Sequence, residues 1–438
     1  MLMSRNAFSL LLAFLLWGLL SNGLQPVQAE DYSFNLDEFE KKAMTWGGYA
    51  ELKAEHNWLK RDSTFGLLGF YNQPRSHLDR LSTTLQLDGN YNKGMVDFNW
   101  LMQAFTADDQ VENRKDLNVF SAYASIKSSP SITFELGKKT FKWGKGYAWN
   151  PVGFIDRPKD PNNPEEALEG YIGVAADLIK SFSGKLQTVA LTTVVLPVWE
   201  DVNDDFGAKN NLNFATKLYL LYRDTDIDFV VFIGNSRSTR FGIDISKNLA
   251  TNFEIHAELA YIPAQKIQFL NNSGNLMSTD RSVTSYLLGL RYLTENNITT
   301  ILEYYHNDAG YSETQMDQFY QLVGNAYDSF LSTGNDSLLQ QAQAISKKGY
   351  ARPQIGRNYL YLRMTQKEPF DQLYFTPGIT AIINLDDSSY TVSPEAVYTG
   401  FTNWEMRLRY SHIDGGRFTE YGEKLNEKKL EIRLRYYF

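Results

Sequence analysis

The stretch LEIRLRYYF, residues 430–438, repeats with the two-residue period of a β-strand. One face of this strand carries the apolar and aromatic side chains of Leu430, Ile432, Leu434, Tyr436 and Phe438. The other face carries Glu431, Arg433, Arg435 and Tyr437. A strand of this kind can separate hydrocarbon from water, as each wall strand of a transmembrane β-barrel does.

The same alternation recurs along most of the chain and predicts about 18 strands, within a range of about 16 to 18. The sequence combines 27 Tyr and 27 Phe with a mean hydropathy of −0.38. A polar average with many aromatics is typical of a transmembrane β-barrel, because only alternate residues meet lipid and aromatic girdles mark both interfaces. The predicted fold class is all-β: a transmembrane antiparallel up-and-down β-barrel.

Tight turns alternate with longer connections, as short periplasmic turns and long outer loops do in such barrels. An even number of strands places both ends of the barrel segment in the periplasm. In the longest connection, 307–357, Ser312 and Gln315 open a helical pattern and a second begins at Ser337. This connection is either a two-helix cap on the outer mouth or a mobile loop. The other longer connections are predicted at 59–77, 107–116, 139–169, 199–212, 263–281 and 413–426.

The first residues predict export. Arg5 precedes an apolar run from Ala7 to Leu20, and Val27-Gln28-Ala29 forms a small-residue cleavage pattern. The alternative is an uncleaved membrane anchor, for which the run is short. The predicted organisation is a signal peptide at 1–29, an N-terminal periplasmic segment at 30–45 and an outer-membrane barrel at 46–438.

Composition excludes several classes of partner and cofactor. The formal charge of −8 becomes −9 when Arg5 is removed with the signal peptide, which argues against nucleic acid as a partner. The sequence contains no Cys, so a disulfide scaffold, a Cys-zinc site and covalently attached haem are excluded. We expect no cofactor, no metal site and no catalytic residues.

The connection 139–169 is the most unusual segment. It contains four prolines, which stiffen the backbone, and aromatic residues that can pack on an inner wall. We predict that it folds inward and narrows the channel; alternatively, its charges pair within the loop and its aromatics only anchor it. The candidate constriction residues are Lys142, Trp143, Lys145, Trp149, Asp156, Arg157, Lys159 and Asp160.

Basic residues recur at positions predicted to face the lumen. They are Arg223, Arg291, Arg363, Arg407, Arg409, Arg433 and Arg435. Early strands instead offer acids, namely Glu51, Glu55, Asp88, Asp97 and Glu135. Walls of unlike charge would create a transverse field that orients dipolar or anionic solutes. The alternative is that Arg433 and Arg435 only pair with Glu51 and Glu55 where the last strand meets the first.

The terminal strand ending in Phe438 resembles that of bacterial outer-membrane proteins, whose final aromatic residue is read by the assembly machinery. The position of 139–169, after the fifth strand, resembles the inward-folded loop of porins. These resemblances imply an outer-membrane channel, embedded in outer-membrane lipid, for small polar or anionic solutes or oligosaccharides. Trp143-Gly144 and the basic lumen also resemble alginate-export-type barrels, which leaves surface polysaccharide export or attachment as an alternative.

A barrel enzyme is a further alternative, built on one of five histidines. The local candidates are Ser411 and His412 with Asp414, and His306 with Asp308. Adjacent residues on a strand point to opposite faces, so Ser411 and His412 are a poor nucleophile–base pair. We therefore expect that the protein is not an enzyme.

Overall fold

A computed structural model describes residues 43–271 and 274–438. The predicted signal peptide 1–29, and residues 30–42 of the predicted N-terminal segment, lie outside the described residues. The first strand begins at Met44, two residues before the predicted start of the barrel. Within the described ranges, no helix is both long enough and apolar enough to cross a membrane.

Eighteen antiparallel strands follow one another round a single closed sheet. Each strand pairs with its neighbours in sequence, and β1 also pairs with β18, which closes the barrel. The all-β fold class and the number of strands are therefore confirmed. The strands are β1 Met44–Leu59, β2 His77–Lys93, β3 Val96–Asp109, β4 Asn113–Ser129, β5 Ile132–Lys139, β6 Tyr171–Ser181, β7 Leu186–Val198, β8 Asn211–Tyr222, β9 Thr225–Ile233, β10 Arg240–Ala250, β11 Phe253–Leu270, β12 Leu276–Leu293, β13 Ile298–Asn307, β14 Asn358–Gln366, β15 Phe375–Asn384, β16 Tyr390–Tyr398, β17 Trp404–Asp414 and β18 Asn426–Tyr437.

The period-2 pattern sorts side chains between the inside and the outside of the barrel. In β18, Glu431 is 2% exposed and Arg433 is 3% exposed, because both point into the lumen. The outer surface carries large apolar side chains on many strands, among them Leu85, Phe229 and Leu288 at 41–55% exposure. An apolar belt around the barrel is stable only against hydrocarbon, as in a membrane barrel.

Two predicted long connections are shorter than expected. The connection 107–116 shrinks to 110–112, and 263–281 shrinks to 271–275, because the flanking strands run on. The register of β11 shifts between Ile262 and Gln265, where Pro263 interrupts the alternation. Above the apolar belt both faces of a hairpin meet water, so alternation no longer marks the strand.

The predicted two-helix segment in 307–357 is confirmed. The helices of the barrel's long-loop end are α1 Thr64–Phe70, α2 Glu313–Thr333 and α3 Ser337–Ile345. Helix α2 opens with the predicted capping box: the Ser312 hydroxyl accepts from the Gln315 N–H at 3.3 Å, and the Gln315 side chain accepts from the Ser312 N–H at 3.0 Å. One apolar cluster joins α2 and α3 to Leu68 of α1 and to Leu270 of β11. Helix α1 lies next to β2 in sequence, and β2 and β11 are nine strands apart in a ring of eighteen, so they stand on opposite walls of the barrel. The helices therefore cross the mouth.

Candidate channel and its constriction

The connection between β5 and β6, residues 140–170, folds into the barrel. Its backbone reaches Glu258 on β11 and Glu303 on β13, far round the wall from β5. Farther along the same connection, Glu166 reaches Arg433 on β18 at 3.3 Å. The segment, which we call the inner loop, therefore crosses the lumen, as the sequence predicted for 139–169.

Glu258 anchors the inner loop through main-chain donors. Its carboxylate accepts hydrogen bonds from the backbone N–H of Lys145 at 2.5 Å, Gly146 at 2.6 Å and Val152 at 3.2 Å. The Asn150 amide adds a fourth donor at 3.3 Å. Glu258 is 2% exposed, and a buried carboxylate needs this degree of hydrogen bonding to be tolerated.

Glu303 holds the next residues of the same loop. It accepts from the backbone N–H of Ala148 at 2.9 Å and from that of Tyr147. The Nε2 atom of His256 lies 2.9 Å from Oε1 of Glu303, the same oxygen that accepts from Tyr147. Glu258 and Glu303 are referred to below as the carboxylate clamp. Neither was among the predicted site residues, and the signal that could have found them was an acid at a lumen-facing position of its strand.

Asp156 organises the start of the inner loop. Its carboxylate accepts from three successive backbone N–H groups, those of Phe141 at 2.8 Å, Lys142 at 3.0 Å and Trp143 at 2.9 Å. Burial raises the pKa of Asp156, and these three hydrogen bonds oppose that effect. Lys142 has a φ of 55°, so the chain turns tightly round the carboxylate. Asp156 therefore shapes the loop from within.

The charged residues predicted for constriction pair mainly with protein. Lys145 places its ammonium 2.9 Å from Asp228 and 3.7 Å from Asp244. Burial lowers the pKa of Lys145, but the hydrogen bond and charge of Asp228, together with the charges of Asp244 and Asp226, outweigh burial, so the pKa rises overall. Arg157 forms an ion pair with Asp205. Lys145 and Arg157 therefore anchor the loop to the wall and to the β7–β8 connection, whereas the alternative interpretation expected pairing within the loop.

The remaining predicted loop residues stabilise the loop's own path. Lys159 donates to the carbonyls of Gly146 at 2.7 Å and Tyr147 at 3.1 Å. Asp160 accepts from the backbone N–H of Asn162 at 2.9 Å. Trp149 stacks on Tyr305 of β13, with ring centroids 5.1 Å apart. Trp143 is 2% exposed in an apolar cluster between the loop and the wall.

A cavity of about 510 Å³ remains between the inner loop and the opposite wall. Its lining includes acidic side chains, namely those of Glu51, Glu165, Glu166 and Glu405. Strands β1 to β4 contribute an uncharged, partly aromatic part of its lining, formed by Tyr49, Thr84, Gln86, Gln103, Phe105 and Phe120. Strands β14, β17 and β18 contribute Arg363, Arg407, Arg409, Arg433 and Arg435. This space, which we call the passage, brings together five of the seven predicted arginines.

The other two predicted arginines lie elsewhere. Arg291 shares the inner face of β12 with the buried Leu287, but it lies toward the short-turn end and outside the lining of the passage. The prediction that Arg223 faces the lumen from a strand is wrong, because Arg223 lies in the tight turn between β8 and β9. Its φ of 48° belongs to the turn, and its guanidinium lies 5.6 Å from the Tyr222 ring.

Most passage arginines have close acidic partners, but of the two acids in the pairing alternative Glu51 pairs with an arginine and Glu55 does not. Arg435 lies 2.6 Å from Glu51 across the β1–β18 seam, and Glu55 pairs there with Lys429. Arg363 and Arg409 share Glu395, at 3.0 Å and 2.7 Å. Arg407 differs, since its ion pair with Glu405 spans 3.6 Å. Its guanidinium is therefore the most loosely held of the five.

The enzyme candidates do not assemble into a nucleophile–base pair. The Ser411 hydroxyl accepts a hydrogen bond from Ser393 at 2.8 Å, whereas the neighbouring His412 lies next to Tyr390. His306 hydrogen-bonds with Asn358 at 2.8 Å. Asp308 forms an ion pair with Arg281 at 2.9 Å.

Comparison with known proteins supports the fold. No family model matches the sequence, and the comparison with curated proteins gives no significant match. Among solved structures, Pseudomonas aeruginosa OccK11 (OpdR) aligns with a TM-score of 0.51 at 11% identity, covering 90% of this chain and 95% of that one. OpdQ aligns at 0.50 and 10%, covering 90% and 97%. OccK2 (OpdF) in complex with glucuronate, from the same organism, aligns at 0.50 and 10%, covering 90% and 98%.

These neighbours are outer-membrane porins, and the chain has a porin-like fold. At this level of identity the comparison concerns the fold alone. None of these neighbours supports the resemblance to alginate-export-type barrels.

Proposed function

We propose that the protein is a bacterial outer-membrane channel for small polar solutes, with carboxylate-bearing solutes as the preferred class. The observation that carries the proposal is the inner loop, which crosses the lumen on buried carboxylates and leaves one arginine-lined passage of about 510 Å³. Residues 1–29 act as a cleaved signal peptide, and the segment that starts at residue 30 precedes the barrel in the periplasm. The assembly machinery recognises the terminal strand ending in Phe438.

The chemistry of the passage favours carboxylates. Arginine presents a planar fork of donors that matches a carboxylate in a bidentate manner. The adjoining wall of amide and aromatic side chains suits the uncharged part of a solute. OccK2, a neighbour in fold, was crystallised with glucuronate, which carries a carboxylate on a sugar ring. Glucuronate, compared with uncharged glucose, is therefore a suitable test solute.

Arg407→Glu should shift ion selectivity toward cations. In a planar bilayer, the wild-type protein should give discrete ohmic steps and an anion-preferring reversal potential under a salt gradient. Reversing one charge at the passage should lower the anion-to-cation permeability ratio roughly fivefold, from Coulomb energies in a water-filled pore. Salt weakens the effect, so it should be largest at low ionic strength.

Arg223→Glu is the matched control, because it makes the same charge change on an exposed turn residue. It should leave the permeability ratio nearly unchanged. An identical ratio in the wild type and Arg407→Glu would refute the anion preference. Electrical silence at every voltage, with hydrolysis of lipid or peptide, would refute the channel and favour a barrel enzyme.

A further inference from the structure

Arg433 has three acidic neighbours of unequal character. Its guanidinium lies 3.1 Å from Glu431 and 3.8 Å from Glu51, both of which are buried wall residues. The third neighbour, Glu166, lies 3.3 Å away on the inner loop, and its side chain is 54% exposed. Glu431 and Glu51 are fixed in the wall and stay paired with Arg433, whereas the Glu166 side chain faces the open passage.

Arg433 is also directly opposite Arg407 in the β17–β18 ladder. Opposed side chains in antiparallel strands have Cβ atoms about 5 Å apart, so the two guanidinium groups are neighbours. Among the described residues, the Nε atoms of both arginines are buried without a hydrogen-bond partner. Two adjacent guanidinium groups with unused donors form a site that a carboxylate can satisfy.

The inner loop presents Glu166 to this site from a fixed turn. The Glu166 N–H donates to the Asn163 carbonyl at 3.1 Å. Arg409 in turn donates to the Asn163 side chain at 2.7 Å and to the Asn162 carbonyl at 3.1 Å. The backbone of the turn is thus held by the wall, while the Glu166 carboxylate can leave Arg433 by side-chain rotation alone.

We propose that Arg407 and Arg433 form a carboxylate subsite of the passage, and that Glu166 occupies it as a tethered competitor. A solute carboxylate enters by displacing the Glu166 carboxylate and leaves when Glu166 returns. This inference rests on the proposed channel function and adds the residue that limits solute affinity.

An exchange of this kind has a physical advantage for transport. If no loop carboxylate stood at Arg433, the two arginines would hold a solute carboxylate more tightly and release it more slowly. With Glu166 present, one carboxylate replaces another, so the net charge of the subsite stays the same throughout. Binding is then weak enough for the solute to leave, as conduction requires.

Glu166→Gln should increase the affinity of the passage for glucuronate. We expect the concentration of glucuronate that half-blocks the ion current to fall about 2- to 5-fold, because a half-exposed ion pair competes only weakly. The half-blocking concentration of glucose should stay unchanged, since an uncharged sugar does not compete with Glu166. The measurement is current blockade in a planar bilayer.

Glu165→Gln is the matched control. Glu165 is adjacent, lines the same passage and accepts a hydrogen bond from the Tyr147 hydroxyl at 2.6 Å. A general change of charge would move both variants equally, whereas the proposal predicts a clearly larger effect of Glu166→Gln than of Glu165→Gln.

Equal effects of the two variants, or an unchanged half-blocking concentration in Glu166→Gln, would overturn the tethered competitor. If the channel function itself were wrong, the wild-type protein would give no conductance. The two failures are therefore distinguishable.

Discussion

The double variant Glu258→Ala and Glu303→Ala should conduct more than the wild-type protein, because the carboxylate clamp is what holds residues 145–152 across the lumen. Together the two carboxylates accept five backbone hydrogen bonds from the loop. A hydrogen bond to a charged group contributes about 1.5–3 kcal/mol, so each lost bond shifts the docking equilibrium roughly 10- to 150-fold. Single-channel conductance in a planar bilayer is the measurement.

The increase should stop short of the conductance of a variant lacking residues 145–165. Trp143, Val152, Phe154 and Ile155 of the inner loop pack in an apolar cluster with the wall, and this packing does not depend on the clamp. We therefore expect the segment around Phe154 to stay docked while the preceding residues move away. Deletion removes both contributions and sets the upper limit.

Glu254→Ala is the matched control for the clamp. Glu254 shares the inner face of β11 with Glu258, but it contacts His256 at 3.2 Å and not the loop backbone. It should leave the conductance close to that of the wild type. An unchanged conductance in the double variant, with the β-sheet circular dichroism spectrum intact, would show that the clamp does not hold the loop.

The barrel was predictable because the bilayer imposes one rule on every strand: side chains alternate between apolar residues that face lipid and polar residues that face the lumen. Alternation in 430–438 directly gives the inward positions of Glu431 and Arg433 and the outward positions of Ile432 and Leu434. The rule fails where no bilayer contacts the strand, as in the upper hairpin of β11 and β12. It also fails at Arg223, one residue past the end of β8, where turn geometry decides the backbone.

The constriction was predictable in place but not in mechanism. Stiff, aromatic residues after the fifth strand indicated an inward loop, and the structure places the loop there. The carboxylate clamp that holds that loop is more than 100 residues away in sequence, as for Gly146 and Glu258, so no local pattern could identify it. For the same reason, the sequence could not divide the arginines between solute binding and pairing across the seam.

Arg433→Met should destabilise the barrel at its closure, and more so than Arg407→Met. Arg433 is 3% exposed between Glu431 and Glu51, and removal of one partner of a buried pair typically costs about 3–5 kcal/mol. Lys429 remains 3.2 Å from Glu431, so we expect a loss of about 3 kcal/mol, at the lower end of that range. The measurement is the urea midpoint of unfolding in lipid vesicles.

Two further variants separate pairing from packing. Replacing Arg407 by Met should cost less, about 1 kcal/mol or below, because its ion pair with Glu405 spans 3.6 Å and its side chain is more exposed than that of Arg433. Adding Glu431→Gln to Arg433→Met removes the unpaired carboxylate and should recover part of the lost stability, because the penalty arises from the charge left behind. If the double variant is no more stable than Arg433→Met, the arginine stabilises the seam by packing, and the charge pairing across β17, β18 and β1 contributes little to closure.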